Sequence, residues 1–408
     1  MFFNMVFEGK KAIMKLSLTD RFFHIFWLLG PFVLLIERTP ADVWISLLSL
    51  AFVFRVLKNR DFEWLEHFWV RAAFAFWAAC ILSAILSSDP LYAFSEAVIW
   101  FRFPLFVMAS VFWLAKDRQL LYLMLVSTAL AFLTMCGILA AEIIYTGQVG
   151  QRLTWPFGDK VSGNYLTKVG LPVIVIGSTI AASKFRRVNI LAASFVLIGF
   201  VTIVLTGERI NTLILFSAGI LAGVVHGTNW KRFNAMLLIV TLSVVLLLFL
   251  YPNVGKRYVV DFLIALPTGD HSPYYRAMMS GLLAFEKSPL FGIGTANFYN
   301  LCPNFSSIVD NMGCQPHPHN YYIQLLAETG VVGFLFGVVF LWSLVWKCLK
   351  TGWKMEKNLV LSSAWIVPFA LFWPIASTAD FFGQWNNVFM WSSIALALSS
   401  TNLDKNSV

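Results

Sequence analysis

Long apolar blocks constrain this chain more tightly than any other feature. About twelve of them, each roughly 16–25 residues with few charges inside, run along the sequence. They fall near residues 22–37, 41–57, 68–87, 97–115, 119–146, 170–184, 189–206, 210–226, 234–251, 329–349, 359–378 and 384–400. A block of that length, coiled as a helix, matches a hydrocarbon core about 30 Å thick. Lipid offers nothing to an open backbone amide, so such segments coil and satisfy themselves. Only 12% of the residues are charged, about half the roughly 25% of a soluble protein. The expectation is an all-α, polytopic membrane protein with about twelve spans. Lys10, Lys11 and Lys15 precede the first block. No small-x-small cleavage site follows it, which predicts an uncleaved signal anchor.

Basic residues set the orientation. Of the 30 Lys and Arg residues, about twenty fall at the N-terminus, in every second loop and in the C-terminal tail, against about nine on the other side. Arg102 alone lies inside a span. The richer side is cytoplasmic, so both termini are expected there. The net charge of +9 is then a topology signal and not a nucleic-acid surface.

Two long segments lie on the opposite face, at about 147–169 and 252–328. The second, between spans nine and ten, holds about 75 residues and exceeds a simple connector. Within it, Tyr274–Lys287 places Met278, Leu282 and Phe285 at helical spacing, which predicts a helix on the membrane surface. The chain thus divides into spans one to nine over 1–251, the outer loop over 252–328, and three last spans with a cytoplasmic tail over 329–408. Cys80, Cys136 and Cys348 read as packing residues. Cys302 and Cys314 share the outer loop, where an oxidising compartment favours a disulfide. A zinc site built from them with His317 and His319 competes, but the spacing fits no usual finger.

Several polar residues at the outer face invite chemistry. Arg209 follows the Thr206-Gly207-Glu208 turn and opens a helix, where free amides already favour an anion; an interfacial Arg that snorkels or pairs with Glu208 is the alternative. Arg276 is a cation on the loop helix, with a solvated face as its bland alternative. Arg102 inside a span requires a partner or a polar cavity. His317 and His319 stand on a proline-rich approach to a helix, in Pro316-His317-Pro318-His319-Asn320, and either is a candidate general base near neutral pH. No nucleotide-binding pattern occurs, and no paired acidic motif on the outer face suggests a divalent metal. Arg152 and Gly163 fit an Arg-x10-Gly spacing, but glycine is common enough, at roughly one residue in fourteen, for chance to produce it.

The segment His319-Asn320-x-x-Ile323-x-x-Leu326-Ala327-Glu328-x-Gly330-x-x-Gly333 resembles the signature block of the O-antigen ligase/polymerase superfamily. Arg209 after its turn, Arg276, and Pro289-Leu290-Phe291-Gly292-Ile293-Gly294 resemble the same family, as does the long loop between spans nine and ten. The resemblance implies a GT-C-type glycosyltransferase of the bacterial inner membrane, active at the periplasmic face without metal or other cofactor. The implied donor is a glycan on undecaprenyl diphosphate, and in a ligase the acceptor is a hydroxyl of lipid A–core. His319 is the implied base, and Glu328 orients it or the neighbouring helix. Arg209, Arg276 and Arg102 are the implied diphosphate ligands. A polymerase joining lipid-linked repeats is the first alternative. A flippase or transporter, whose cations only escort phosphates, is the second. The Arg152-x10-Gly163 spacing is associated with the polymerases.

Overall fold

The computed structural model describes residues 2–183, 186–226, 229–269, 272–302, 315–354 and 358–404. Among the described residues the chain is helical, with no strand. Six helices are long and apolar enough to cross a membrane: Arg38–Asn59, Phe68–Ile85, Pro90–Leu114, Arg118–Thr146, Trp230–Leu250 and Tyr321–Lys354. A seventh crossing results if Ser162–Lys168 and Leu171–Ala181, bent by 51°, are one span. Asn189–Leu205, Arg209–Val225 and Val360–Leu371 are apolar but shorter. The protein is therefore a multi-pass membrane protein.

Local chemistry sets the helix ends. The Asp117 carboxylate accepts from Gln119 N at 2.7 Å and starts the Arg118–Thr146 helix; Gly147, at φ 66°, stops it. The helix expected over 329–349 instead begins at Tyr321. Asn320 is the reason, since its Oδ1 accepts from Tyr322 N at 3.0 Å and Ile323 N at 3.2 Å. The block expected over 359–378 loses helical form after Leu371. Pro374 disfavours helix at the residue before it, and residues 372–383 run irregularly against the start of the Tyr321–Lys354 helix. Thr378 N donates to His319 O at 2.8 Å, and Asn320 Nδ2 donates to Pro374 O at 2.7 Å.

The loop helix forms at Pro273–Lys287, and it packs on the protein through small residues. Ala277, Gly281 and Ala284 are the buried residues, whereas Leu282 is exposed. Small residues let the helix approach closely: a Cβ on Gly281 would sit 2.6 Å from Ile323 Cγ2. A second loop helix, Pro252–Ala265, precedes it.

An aromatic floor lies within the core. Phe76, Trp100, Phe340, Phe381 and Trp391 are almost fully buried and contact one another ring to ring. Each such contact adds about 0.5–1.5 kcal/mol beyond simple burial, so the floor rigidly joins four helical segments and the 372–383 segment.

The Tyr321–Lys354 helix breaks at Gly330, with φ 63° and ψ −171°. A break frees backbone groups that must be satisfied. The passing segment 289–294 takes them: Val331 N donates to Pro289 O at 2.8 Å, Val332 N to Leu290 O at 3.2 Å, Ile293 N to Ala327 O at 3.0 Å and Gly294 N to Glu328 O at 3.0 Å. The approach tolerates no side chain. A Cβ on Gly292 would lie 2.3 Å from the Glu328 carbonyl carbon, and one on Gly330 would lie 2.4 Å from that of Leu290. The two glycine-bearing motifs, far apart in sequence, are stitched backbone to backbone.

Candidate functional site

The histidine pair is assembled by the 372–383 segment. His317 Nε2 lies 3.1 Å and His319 Nδ1 3.4 Å from the Thr378 carbonyl oxygen. A carbonyl only accepts, so in the neutral rings both of these nitrogens carry hydrogen. The lone pairs are left on His317 Nδ1 and His319 Nε2. The two rings are 4.3 Å apart, and Tyr274 from the loop helix meets His319 edge to face at 5.3 Å. His319 has φ 57°, a left-handed backbone uncommon outside glycine. Burial pushes both imidazoles down to about 4; the Thr378 carbonyl opposes this, while Lys168 reinforces it at His317 and His317 at His319. Both rings are neutral at physiological pH and able to accept a proton.

Glu328 sits elsewhere. Its carboxylate accepts from Ala296 N at 2.9 Å and Phe298 N at 3.2 Å. Gln324 Nε2 reaches Glu328 Oε1 at 3.4 Å and Asp380 Oδ1 at 2.6 Å. Asp380 also accepts from Phe382 N at 2.9 Å, and burial raises its carboxyl against these donors. No hydrogen bond joins Glu328 to His319 among the described residues.

The cations do not share one cluster. Arg209 Nη1 donates to the Asp261 carbonyl, and Arg257 Nε donates to Gly207 O at 2.6 Å. Arg152 pairs with Glu208. Burial and the neighbouring Arg209 and Arg152 pull the Arg257 guanidinium down from its usual range, a sign of crowded positive charge around one carboxylate. Gly163 belongs here too, because a Cβ on it would lie 2.3 Å from Glu208 Cγ. Arg152 and Gly163 therefore meet on Glu208, which their spacing alone did not suggest. Arg102 is remote from this group in its contacts: it pairs with Asp42 at 3.0 Å and with Gln384. Arg276 lies on the loop helix, and its Nε is buried without a hydrogen-bond partner among the described residues, as are His317 Nδ1 and Thr378 Oγ1.

A groove of about 500 Å³ runs beside these groups. Leu213, Phe262, Met278, Trp373 and Ile375 give it apolar walls, and Arg209 and Tyr274 also line it. Cys302 is disulfide-bonded, while Cys314, its expected partner, lies outside the described residues. Cys80, Cys136 and Cys348 are buried free thiols.

Sequence reasoning missed Tyr274, Thr378 and Arg257. Tyr274 stands two residues before Arg276, a usable hint. Thr378 acts through its carbonyl, which no residue type announces.

No curated protein sequence matches the chain. The family model described as O-Antigen ligase matches residues 193–338, a stretch holding Arg209, Arg276, the 289–294 segment, His319 and Glu328. Over that stretch the chain is similar to the O-antigen ligase family, and the match supports a function of the O-antigen ligase/polymerase type.

Proposed function

We propose that the protein is an O-antigen ligase, moving a glycan from undecaprenyl diphosphate to a hydroxyl of lipid A–core at the periplasmic face of the bacterial inner membrane. One observation carries the reading: the apolar groove brings together Arg209 and Tyr274, whose ring lies against His319. A polyprenyl tail suits the groove walls, and its diphosphate then meets guanidinium groups that pair with phosphate oxygens in a fixed fork.

His319 Nε2 takes the proton of the acceptor hydroxyl as that oxygen attacks the anomeric carbon. The bond from that carbon to the diphosphate oxygen breaks, and the electron pair leaves with the lipid diphosphate. Arg209 and Arg276 stabilise this growing charge without a metal. The displacement inverts the anomeric centre. His317 is the poorer base because its lone-pair nitrogen, Nδ1, is buried. Glu328 acts on the scaffold, and Arg102 steadies its helix through Asp42. The architecture is of GT-C type with twelve spans and cytoplasmic termini. The shorter apolar helices and the segments at Leu18–Val33 and Gln384–Ser399 supply the crossings beyond the seven. The loop over 252–328 forms the catalytic cover.

A polymerase is the second reading, favoured by the meeting of Arg152 and Gly163 on Glu208. Deletion separates the two. A ligase mutant loses long and short O-chains alike and accumulates lipid-linked polymer, whereas a polymerase mutant leaves core bearing one repeat. Unchanged lipopolysaccharide banding would falsify both.

A further inference from the structure

Lys168 stands outside every role given above. It is 6% exposed and ends the Ser162–Lys168 helix at the 51° bend into Leu171–Ala181. Broken helices inside a membrane protein recur where ligands bind, because the break opens polar ends to a cavity. Nζ makes one hydrogen bond among the described residues, to Asn386 Oδ1 at 3.4 Å, longer than a good N–H···O contact. No carboxylate lies within ion-pair distance of it among the described residues. An ammonium has three donors, and burying one so poorly matched is costly. Its backbone is held independently, since the Lys168 carbonyl accepts from Ser393 Oγ. The charge is therefore not needed to fix the chain.

Its surroundings indicate what the charge faces. The Ser162–Lys168 helix packs on the arginine-bearing turn: a Cβ on Gly163 would lie 2.3 Å from Glu208 Cγ, and Thr167 Oγ1 donates to Asn211 O at 3.2 Å. Lys168 thus ends a helix seated against the turn that carries Arg209, and its Nζ bonds to Asn386 of the Gln384–Ser399 helix. We infer that Lys168 is a substrate-binding cation whose ammonium takes an anionic oxygen of the lipid diphosphate as the anomeric C–O bond breaks. The inference rests on the lipid-diphosphate reading. It adds a charge-assisted hydrogen bond to the leaving group and transfers no proton.

The test measures binding of undecaprenyl diphosphate to the purified full chain in nanodiscs, alongside its thermal midpoint. Lys168→Met removes a buried charge and keeps the side-chain bulk, so the midpoint should hold or rise. Diphosphate affinity should fall about tenfold to a hundredfold, as for a lost hydrogen bond between charged groups, and affinity for undecaprenyl monophosphate should fall less. Lys168→Arg should recover part of the loss. If Lys168→Met does not fold, Asn386→Asp decides: a carboxylate beside Nζ competes with the ligand and should weaken diphosphate binding. Wild-type affinity in a folded Lys168→Met, with binding lost in Arg209→Ala, overturns the inference and leaves the site reading intact. Wild-type affinity in Asn386→Asp likewise overturns it. Failure of the wild-type chain itself to bind the diphosphate overturns both.

Discussion

His317 and His319 stand just ahead of the Tyr321–Lys354 helix, and Gln324 and Glu328 lie on its first turns, yet their polar atoms are treated oppositely. Around Gln324 and Glu328 the pairing is internal. Gln324 donates to Asp380 and Glu328 and accepts from Phe381 N at 2.9 Å, while Glu328 caps the backbone at Ala296 and Phe298. Around the histidines, His317 Nδ1 and Thr378 Oγ1 are buried without hydrogen-bond partners among the described residues. A fully paired buried network rigidifies its surroundings, and a partly paired one costs free energy unless something completes it. We read the first cluster as scaffold and the second as the place where substrate supplies the missing partners.

The largest effect should come from His319. His319→Ala should slow transfer by about 10²–10⁴-fold in an assay with lipid-linked donor and core acceptor. Because φ at this position is positive, His319→Asn, whose side chain tolerates the left-handed backbone, is the cleaner variant. His317→Ala should lose far less. The reverse ranking would move the base to His317.

Glu328 tests the other half of the comparison. Glu328→Ala strands the buried Phe298 amide and the part-buried Ala296 amide, the first costing about 1–3 kcal/mol, and should lower the thermal midpoint sharply in detergent. A Glu328→Ala protein as stable as the wild type but inactive would erase the distinction between the clusters.

Smaller losses are expected at the arginines. Arg209→Ala and Arg276→Ala should each weaken donor binding about tenfold to a hundredfold, with lysine restoring only part because it lacks the planar fork. Equal donor affinity in wild type and both alanine variants would empty the open cluster of its assigned ligand.

The smallest effect near neutrality concerns pH. The imidazoles protonate near 6.5 in the unfolded chain and at about 4 in the folded one. The unfolded state therefore binds more protons between these values, and stability falls as pH drops through that window, levelling below about 4. The active base form persists, so turnover should stay flat through pH 6 and fail only near 4. An acid limb centred at 6.5 would mean that His319 is solvated in the working enzyme.

The sequence made the helices legible because bilayer thickness writes itself into block length, and each expected block falls on helical segments of the structure. Block ends were less legible. Asn320 extends one helix toward its N-terminus and Pro374 cuts another short, both by local hydrogen-bond or steric effects too small to alter a hydropathy average. Within the site, His319 and Arg209 were readable as candidates from residue type and position. Their surroundings were not, since Tyr274, Thr378 and Asp261 reach them from distant segments, two of them through backbone carbonyls. The Met278–Leu282–Phe285 stripe marked the helix but not the face it packs on the protein. Close helix packing here selects small side chains, so Ala277, Gly281 and Ala284 face inward instead of the bulky apolar ones.

The seam between segment 289–294 and the break at Gly330 has a consequence for heredity. Each glycine faces the other strand's backbone, so neither motif can acquire a methyl group and be rescued by a change in its neighbour. They form one inherited unit although some thirty-five residues separate them. Recombination that exchanges outer loops between relatives, or a chimera built at the bench, must carry residues 289–333 whole. A crossover inside that interval joins two halves of a fastening cut for different partners.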